Sequence, residues 1–209
     1  MILLEDINKL GFFLDKNNIF NIDDNHLKEA QQIISNNDIK CHYLNDKPLE
    51  NIKIIQNPQN FLYLNKTYQN INDHIDIKKK TKLDSIWVQK TTKLSTHFDP
   101  TKLPYIPHID KKRMFKIMVY LNDVIKENGP INLIKCDTNK YENLRLNLGE
   151  NYKEKSENVI TDVSKNKFTS CTGPIGTVIF FDTNCPHFAG NLTKENDYRL
   201  VYRFNFEYC

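Results

Sequence analysis

From residue 85 onward, the sequence is a succession of short apolar runs separated by turn residues. Turn sequences such as Asn128-Gly129-Pro130 and Gly173-Pro174 mark the ends of these runs. Many short strands without alternating helices favour a β-sandwich or β-barrel over a parallel α/β sheet. The runs are rich in β-branched and aromatic residues, and they cover residues 86–89, 115–121, 131–134, 177–181 and 199–206.

Before residue 85 the pattern changes to one that predicts helices. Asp23 or Asp24 can cap a helix whose apolar residues recur at helical spacing, at positions 27, 30, 33 and 34. A second helix is predicted near residues 61–64. The histidines of this region, at positions 26, 42 and 74, are expected on the surface.

We expect the 209 residues to form one domain, because the chain has neither an internal repeat nor a Pro/Gly/Ser-rich linker. Residues 1–84 would form a helical supporting region and residues 85–209 a β-rich core. Residues 137–168 interrupt the core, since they are polar, charge-rich and not periodic. They are predicted either to cover the barrel mouth as a lid, with Tyr141 and Arg145 as candidate substrate contacts, or to be a disordered surface insertion.

Composition excludes several function classes. The 29 Lys and Arg residues are nearly balanced by 26 Asp and Glu, so the net charge of +3 gives no nucleic-acid-binding footprint. No apolar run reaches the length of a membrane span, and acidic residues follow residues 1–4 at once, so no signal peptide is expected. The five cysteines are scattered and form no CxxC pair, which favours a reducing, cytoplasmic location.

Two His-x-Asp sequences are candidate metal ligands, because the strand period of two places both side chains on one face. Pro100 follows His97-Phe98-Asp99 directly and argues against a continuing central strand there. His108-Ile109-Asp110 leads instead into the apolar run at 115–121. The spacing therefore favours His108 and Asp110 over His97 and Asp99.

A third ligand is available at the end of another apolar run, in "GTVIFFDTNCPHFAGN", where His187 follows Pro186. The next run, "DYRLVYRFNF", places Arg199 and Arg203 on one face, and a buried arginine needs an anion. Two imidazoles and one carboxylate on one side of an octahedral ion leave three positions open, as in non-haem Fe(II) oxygenases.

Together these motifs resemble the Fe(II)- and 2-oxoglutarate-dependent oxygenases. The shared order is HxD, a strand that ends in Tyr-Leu-Asn, Asn-Gly-Pro, a distal His and an Arg in the following strand. "VYLNDVIKENGPINLI" and "HFAGNLT…YRLVYRF" resemble the phytanoyl-CoA dioxygenase branch, and "YLN" and "IFFDTNCPH" resemble prolyl hydroxylases. The resemblance covers residues 85–209. It implies a mainly β (α+β) fold, a double-stranded β-helix or jelly roll with N-terminal helices packed on one sheet.

The same resemblance implies the roles of the site residues. His108, Asp110 and His187 would bind Fe(II), while 2-oxoglutarate and O2 take the open positions and ascorbate is a candidate reductant. Arg199, rather than Arg203, would bind the distal carboxylate of 2-oxoglutarate with help from Tyr120. Oxidation of an unidentified small molecule would then release succinate and CO2. No nucleic-acid or membrane partner is expected, and the oligomeric state stays open.

Each site residue also has a purely structural explanation. His108 could be a packed strand-edge histidine, His187 a turn residue, and Arg199 half of an ion pair with Glu207. Two other functions also stay open: a cupin-type metal enzyme that does not use 2-oxoglutarate, and a catalytically inactive jelly-roll binding module. The former has no need of a carboxylate-binding Arg199, and the latter has no need of a metal.

Overall fold

The computed structural model describes most of the chain, with side chains described except at residues 4, 40–44, 47–51 and 74. The described residues are 4–35, 40–44, 47–74, 80–93, 101, 103–148, 158–194 and 197–209. Within them the helices are α1 (Leu4–Leu10), α2 (Asp24–Ser35), α3 (Leu62–His74) and α4 (Glu142–Leu148). The strands are β1 (Phe12–Asp15), β2 (Lys40–Leu44), β3 (Lys47–Ile55), β4 (Thr81–Thr92), β5 (Met114–Tyr120), β6 (Ile131–Leu133), β7 (Thr169–Ser170), β8 (Val178–Asp182), β9 (His187–Ala189) and β10 (Tyr198–Tyr208).

Two facing sheets form the predicted jelly roll. The larger sheet has the order β1-β8-β5-β10-β4-β3-β2, and the smaller sheet has the order β7-β6-β9. The pairs within both sheets are antiparallel, and residue 108 extends the smaller sheet by an isolated bridge to residue 187 on β9. The mainly β, double-stranded β-helix prediction is therefore confirmed.

The central strands of the larger sheet are buried on both faces. On β5, Phe115, Ile117 and Val119 pack into an outer core that also contains residues of α2 and α3. Met118 and Tyr120 alternate with them and pack into an inner core between the two sheets. Burial on both faces explains why these strands read as nearly continuous apolar runs.

The helices pack on the larger sheet as predicted. Asp23 caps α2, because its carboxylate accepts hydrogen bonds from the backbone N–H groups of Asn25 and His26. His26 is buried, not exposed, and its ring lies 2.6 Å from the Asp23 carboxylate (Nδ1 to Oδ1). The surface expectation for His26 was therefore wrong, because the helix turns it against Tyr63.

The region before residue 85 is less helical than predicted. β1 adds to one edge of the larger sheet beside β8, while the β2–β3 hairpin extends the opposite edge beside β4. These strands are short or polar, so their pairing depends on the edges that later residues provide. Within the described residues, no helix combines the length and apolar character that crossing a membrane requires.

Two phenylalanines that face each other across β1 and β8, one buried and one partly exposed, offer a test of this packing. Phe180 on β8 is fully buried, whereas Phe13 on the neighbouring β1 is 38% exposed and lies with its ring 6.0 Å from that of Phe180. We expect Phe180→Ala to lower the free energy of unfolding by about 3–5 kcal/mol, because it leaves a cavity in the outer core. Phe13→Ala, the matched control, should cost about 1 kcal/mol. Urea denaturation measures both, and equal losses would contradict this assignment of the core.

Candidate metal centre

The structure brings His108, Asp110 and His187 together between the two sheets. The backbone N–H of His108 donates to the carbonyl of His187 at 3.0 Å, and the reciprocal bond is 2.9 Å. This pair sets the two rings side by side, with centroids 4.5 Å apart. One ligand atom from each of the three residues lies within 4.8 Å of the others, and Asp110 Oδ1 is 3.5 Å from His187 Nε2.

Hydrogen bonds to the backbone orient both imidazoles. His108 Nδ1 lies 2.8 Å from the carbonyl oxygen of Ile106, and His187 Nδ1 lies 2.9 Å from that of Cys185. A carbonyl oxygen can only accept, so we assign the proton to Nδ1 in each ring. Both Nε2 lone pairs are then available to a metal, which is the usual arrangement for ligating histidines.

The electrostatics of the site favour ligand-competent protonation states. Burial, reinforced by the neighbouring His187, lowers the pKa of His108 to about 4, so its ring is neutral at physiological pH. Burial alone would raise the pKa of Asp110, but Lys116 and the two imidazoles outweigh that effect and hold it well below its usual value. Two imidazoles and an ionised carboxylate form a donor set that fits a divalent transition metal.

Thr183 joins the two loops that carry the ligands. Its carbonyl oxygen accepts from the Asp110 N–H at 3.1 Å, and its own N–H donates to the carbonyl of Met114 at 2.9 Å. The Thr183 hydroxyl accepts from the Met114 N–H at 2.8 Å and donates to the Lys112 carbonyl at 3.2 Å. The loop before β5 is thereby tied to the turn that precedes His187.

Arg113 reinforces the same junction from the outer side. It donates to the buried Asp182 carboxylate from Nε at 2.8 Å and from Nη2 at 2.7 Å, and Tyr208 donates to the same oxygen at 2.7 Å. This role of Arg113 was not predicted, because Arg113 lies in the basic run 111–113. The only sequence feature that could have indicated it is the strand that begins directly after it.

Arg199 lies in the cavity that the three ligands border. Its side chain is 3% exposed, and it donates to the carbonyl of Gly129 and to the hydroxyl of Thr91. Its Nε has no hydrogen-bond partner, and no ion pair joins Arg199 to a carboxylate among the described residues. Glu207, the alternative partner, pairs with Lys112 instead. The guanidinium is thus buried with a donor still available for an anion.

Tyr120 is fully buried near Arg199, but its hydroxyl proton has a protein partner. The hydroxyl donates to the Cys171 carbonyl at 2.7 Å, and burial raises the phenol pKa. A carboxylate can accept this proton only after that bond breaks. The assignment of Tyr120 to the distal carboxylate therefore stays a prediction.

Two further cations border the cavity. Lys116 on β5 forms an ion pair with Asp110 through Oδ2, and Arg203 on β10 stacks its guanidinium 3.7 Å from the ring centroid of Trp87. Sequence analysis named Arg203 but missed Lys116. Side chains on alternate positions of a strand share a face, so Lys116 lies on the same inner face as Met118 and Tyr120. This spacing alone would have predicted its position.

The insertion at residues 137–168, which was expected to be irregular, contains a helix. Its described part holds α4, and residues 149–157 lie outside the described residues. Tyr141 packs behind the ligands against Ile109, and Arg145 pairs with Glu142, so neither residue is among those described as bordering the cavity. That residues 137–168 form a lid stays a prediction, and the positions of Tyr141 and Arg145 do not support it. His97 and Asp99 also lie outside the described residues.

Comparison with known proteins gives a fold and no family. No protein-family profile and no curated protein sequence matches the chain. Among solved structures, SnoN, a non-haem alpha-ketoglutarate-dependent epimerase from nogalamycin biosynthesis, is 13% identical with a TM-score of 0.58, over 97% of this chain and 81% of SnoN. EvdO2 from Micromonospora carbonacea var. aurantiaca, complexed with 2-oxoglutarate, is 13% identical with a TM-score of 0.60, over 98% and 89%.

HygX from Streptomyces hygroscopicus, with nickel and 2-oxoglutarate bound, is 12% identical with a TM-score of 0.60, over 98% of this chain and 85% of HygX. Identities this low show the shared fold alone. They do not distinguish the phytanoyl-CoA dioxygenase or prolyl hydroxylase features, which stay predictions.

The lowered pKa of His108 predicts a pH-dependent stability. Because the unfolded ring titrates near 6.5 and the folded ring near 4, the stabilisation is present above pH 6.5 and is lost as the pH falls towards 4. Metal-free protein should lose roughly 2–3 kcal/mol of unfolding free energy from this residue between pH 7.5 and 4.5. The His108→Asn variant should not show this pH-dependent loss of unfolding free energy. Urea denaturation at both pH values, with a chelator present to keep the protein metal-free, measures it. Parallel losses in the two proteins would contradict the assignment.

Proposed function

We propose that this chain is a non-haem Fe(II)- and 2-oxoglutarate-dependent oxygenase that oxidises a small molecule. One observation carries the proposal: the His108, Asp110 and His187 ligand set borders the same cavity as the buried guanidinium of Arg199. A metal site alone would suit many reactions. A buried arginine with an available donor beside it suits a dicarboxylate co-substrate.

The donor set would hold the metal through His108 Nε2, His187 Nε2 and an oxygen of Asp110. Fe(II) held there would supply O2 activation coupled to decarboxylation of 2-oxoglutarate, with succinate and CO2 as products. The chain itself orients the ligands through the backbone bonds of the two histidines. Met118, Ile131 and Phe181 give part of the cavity an apolar border.

Arg199 would bind the distal carboxylate of 2-oxoglutarate. The charges support this role, because Fe(II), Asp110 and the 2-oxoglutarate dianion sum to −1, and the guanidinium restores neutrality. Tyr120 is proposed as a second donor, which would exchange its bond to Cys171 for one to the carboxylate. Ascorbate would keep the iron reduced.

Similar structures support a small-molecule substrate and leave the type of oxidation open. SnoN has been solved with Fe3+, alpha-ketoglutarate and nogalamycin RO, and HygX with nickel, 2-oxoglutarate and hygromycin B. SnoK, a further similar structure, is a carbocyclase, so hydroxylation is one of several outcomes for such a fold. We propose a cytoplasmic location, because the thiols of Cys136, Cys171, Cys185 and Cys209 are free.

Turnover of 2-oxoglutarate without added substrate tests the proposal. Protein supplied with Fe(II), ascorbate, O2 and 2-oxoglutarate should release succinate slowly, and Asp110→Ala should abolish the release. Arg145→Ala is the matched control, because Arg145 pairs with Glu142 away from the cavity. Metal binding without 2-oxoglutarate binding would instead indicate a cupin-type metal enzyme. Failure to bind any divalent metal would indicate an inactive binding module.

Arg199→Ala should raise the 2-oxoglutarate concentration needed for half-maximal turnover at least about tenfold, since a charge-assisted bond at a buried site is lost. Metal affinity, measured by calorimetry with Zn(II), should not change. Arg203→Ala is the matched control and should leave the 2-oxoglutarate requirement near that of the wild type. The reverse pattern would assign the carboxylate to Arg203.

Tyr120→Phe should raise the 2-oxoglutarate concentration needed for half-maximal turnover by less than Arg199→Ala does. If that concentration does not rise, Tyr120 does not bind the carboxylate.

A further inference from the structure

Two cysteines lie at the same end of the smaller sheet. Cys136 follows β6, and Cys185 precedes β9, which pairs with β6 in antiparallel orientation. The two segments stay together beyond the strands, because the Ile134 N–H donates to the Pro186 carbonyl at 3.4 Å. Paired strands lie about 4.7–4.9 Å apart, and a disulfide spans about 4.4–6.8 Å between Cα atoms. The backbone therefore brings Cys136 and Cys185 to a separation that suits a disulfide.

Gly11 makes room for the two cysteines to approach each other. Its φ is +81°, and a Cβ atom placed on it would lie 2.9 Å from the Cys185 sulfur and 3.0 Å from the Cys136 carbonyl oxygen. Cys136 is also held from this side, because its N–H donates to the Leu10 carbonyl at 3.2 Å. Both thiols are free, and the hydrogen bond between them lowers the pKa of Cys136.

The two thiols differ in their access to solvent. Cys185 is fully buried in the inner core, whereas Cys136 is half-buried and packs against the edge of that core. A small oxidant that arrives from solvent therefore meets Cys136 first. Cys185, which lies behind it, is in position to react with the oxidised sulfur in a second step.

Cys185 also orients one of the metal ligands. Its carbonyl accepts the Nδ1 proton of His187 at 2.9 Å, and its thiol donates to the Ile134 carbonyl at 2.8 Å. A bond to Cys136 would remove the thiol proton and with it the bond to Ile134. Cys185 would then turn towards Cys136 and take its carbonyl away from the His187 ring. Loss of an outer bond of this kind typically lowers metal affinity by roughly 10- to 100-fold.

We propose that Cys136 and Cys185 form an oxidation site for hydroperoxides, and that their disulfide weakens metal binding by releasing the His187 ring from the Cys185 carbonyl. The site goes beyond the proposed function, because it involves neither 2-oxoglutarate nor the substrate. It would make occupancy of the metal centre depend on the redox state of two residues that do not bind the metal.

The reaction balances with one molecule of hydrogen peroxide. The Cys136 thiolate attacks the O–O bond, hydroxide leaves, and a sulfenic acid forms on Cys136. The Cys185 sulfur then attacks the Cys136 sulfur, the S–O bond breaks, and the hydroxyl group leaves as water with the Cys185 proton. The two thiols lose two electrons in total, and the peroxide is reduced to two molecules of water. A thiol reductant reverses the reaction by exchange.

Peptide mass spectrometry tests the disulfide. Metal-free protein would be treated with hydrogen peroxide and a chelator, alkylated, and digested with trypsin. The disulfide should link peptide 136–140 to peptide 168–194, and a thiol reductant should remove the link. Because peptide 168–194 also contains Cys171, the same link in Cys171→Ser assigns it to Cys185. Loss of the link in that variant, or sulfinic acid at Cys136 without any link, would overturn the proposal.

Calorimetry with Mn(II) tests the effect on the metal centre, since thiols are poor ligands for this ion. After removal of the peroxide, the oxidised protein should bind Mn(II) at least about tenfold more weakly than the reduced protein. Treatment with a thiol reductant should restore the affinity. A complete disulfide that leaves the Mn(II) affinity unchanged would overturn the proposal.

Substitutions separate the pair from the other thiols. Cys136→Ser and Cys136→Ala should bind Mn(II) like the reduced wild type and should keep that affinity after peroxide treatment, because no disulfide can form. Cys209→Ser, the matched control, removes an exposed thiol and should lose affinity on oxidation as the wild type does. If peroxide lowers the Mn(II) affinity of the Cys136 variants as much as that of the wild type, the effect arises elsewhere and the proposal fails.

Discussion

The reciprocal backbone bonds between His108 and His187 are the interaction on which the site depends. They join the segment before β5 to β9, so two ligands that are far apart in sequence become direct neighbours. A jelly roll makes this pairing available because its smaller sheet brings early and late segments side by side. Thr183 and Arg113 add bonds around the same junction. The ligands are therefore held by backbone and buried polar contacts that do not require a metal to be present.

Charge is the second constraint on the cavity. The buried guanidinium of Arg199, whose Nε has no hydrogen-bond partner, is costly unless an anion enters the cavity. The proposed function accounts for this cation through the distal carboxylate of the co-substrate. The apolar residues that border the cavity strengthen the effect, because they reduce the screening of these charges.

Local sequence patterns were sufficient for the strands of the core and for the candidate ligands. The runs around β5, β8 and β10 are long and apolar enough to be recognised alone, and a strand period of two places His108 and Asp110 on one face. Patterns failed where a residue's environment comes from distant segments. β1 pairs with β8, which comes much later in the chain, the polar β2–β3 hairpin is held against β4, and His26 is buried against Tyr63 of α3. Tyr141 was a candidate substrate contact of the lid, but it packs against Ile109. That contact joins parts of the chain whose proximity the sequence spacing does not indicate.

The sequence by itself determined the alternation of buried faces and the order of HxD, Asn-Gly-Pro, distal histidine and strand arginine. These are properties of neighbouring residues, and backbone geometry translates them directly into strands and turns. Only the tertiary structure decided which side chains share a cavity. The stacking of Arg203 on Trp87 joins β10 to β4, the hydrogen bond from Tyr120 to Cys171 joins β5 to the segment after β7, and the ion pair of Lys116 with Asp110 joins β5 to the loop before it. Their physical reason is sheet register, which depends on long-range pairing and cannot be read from the spacing within any one segment.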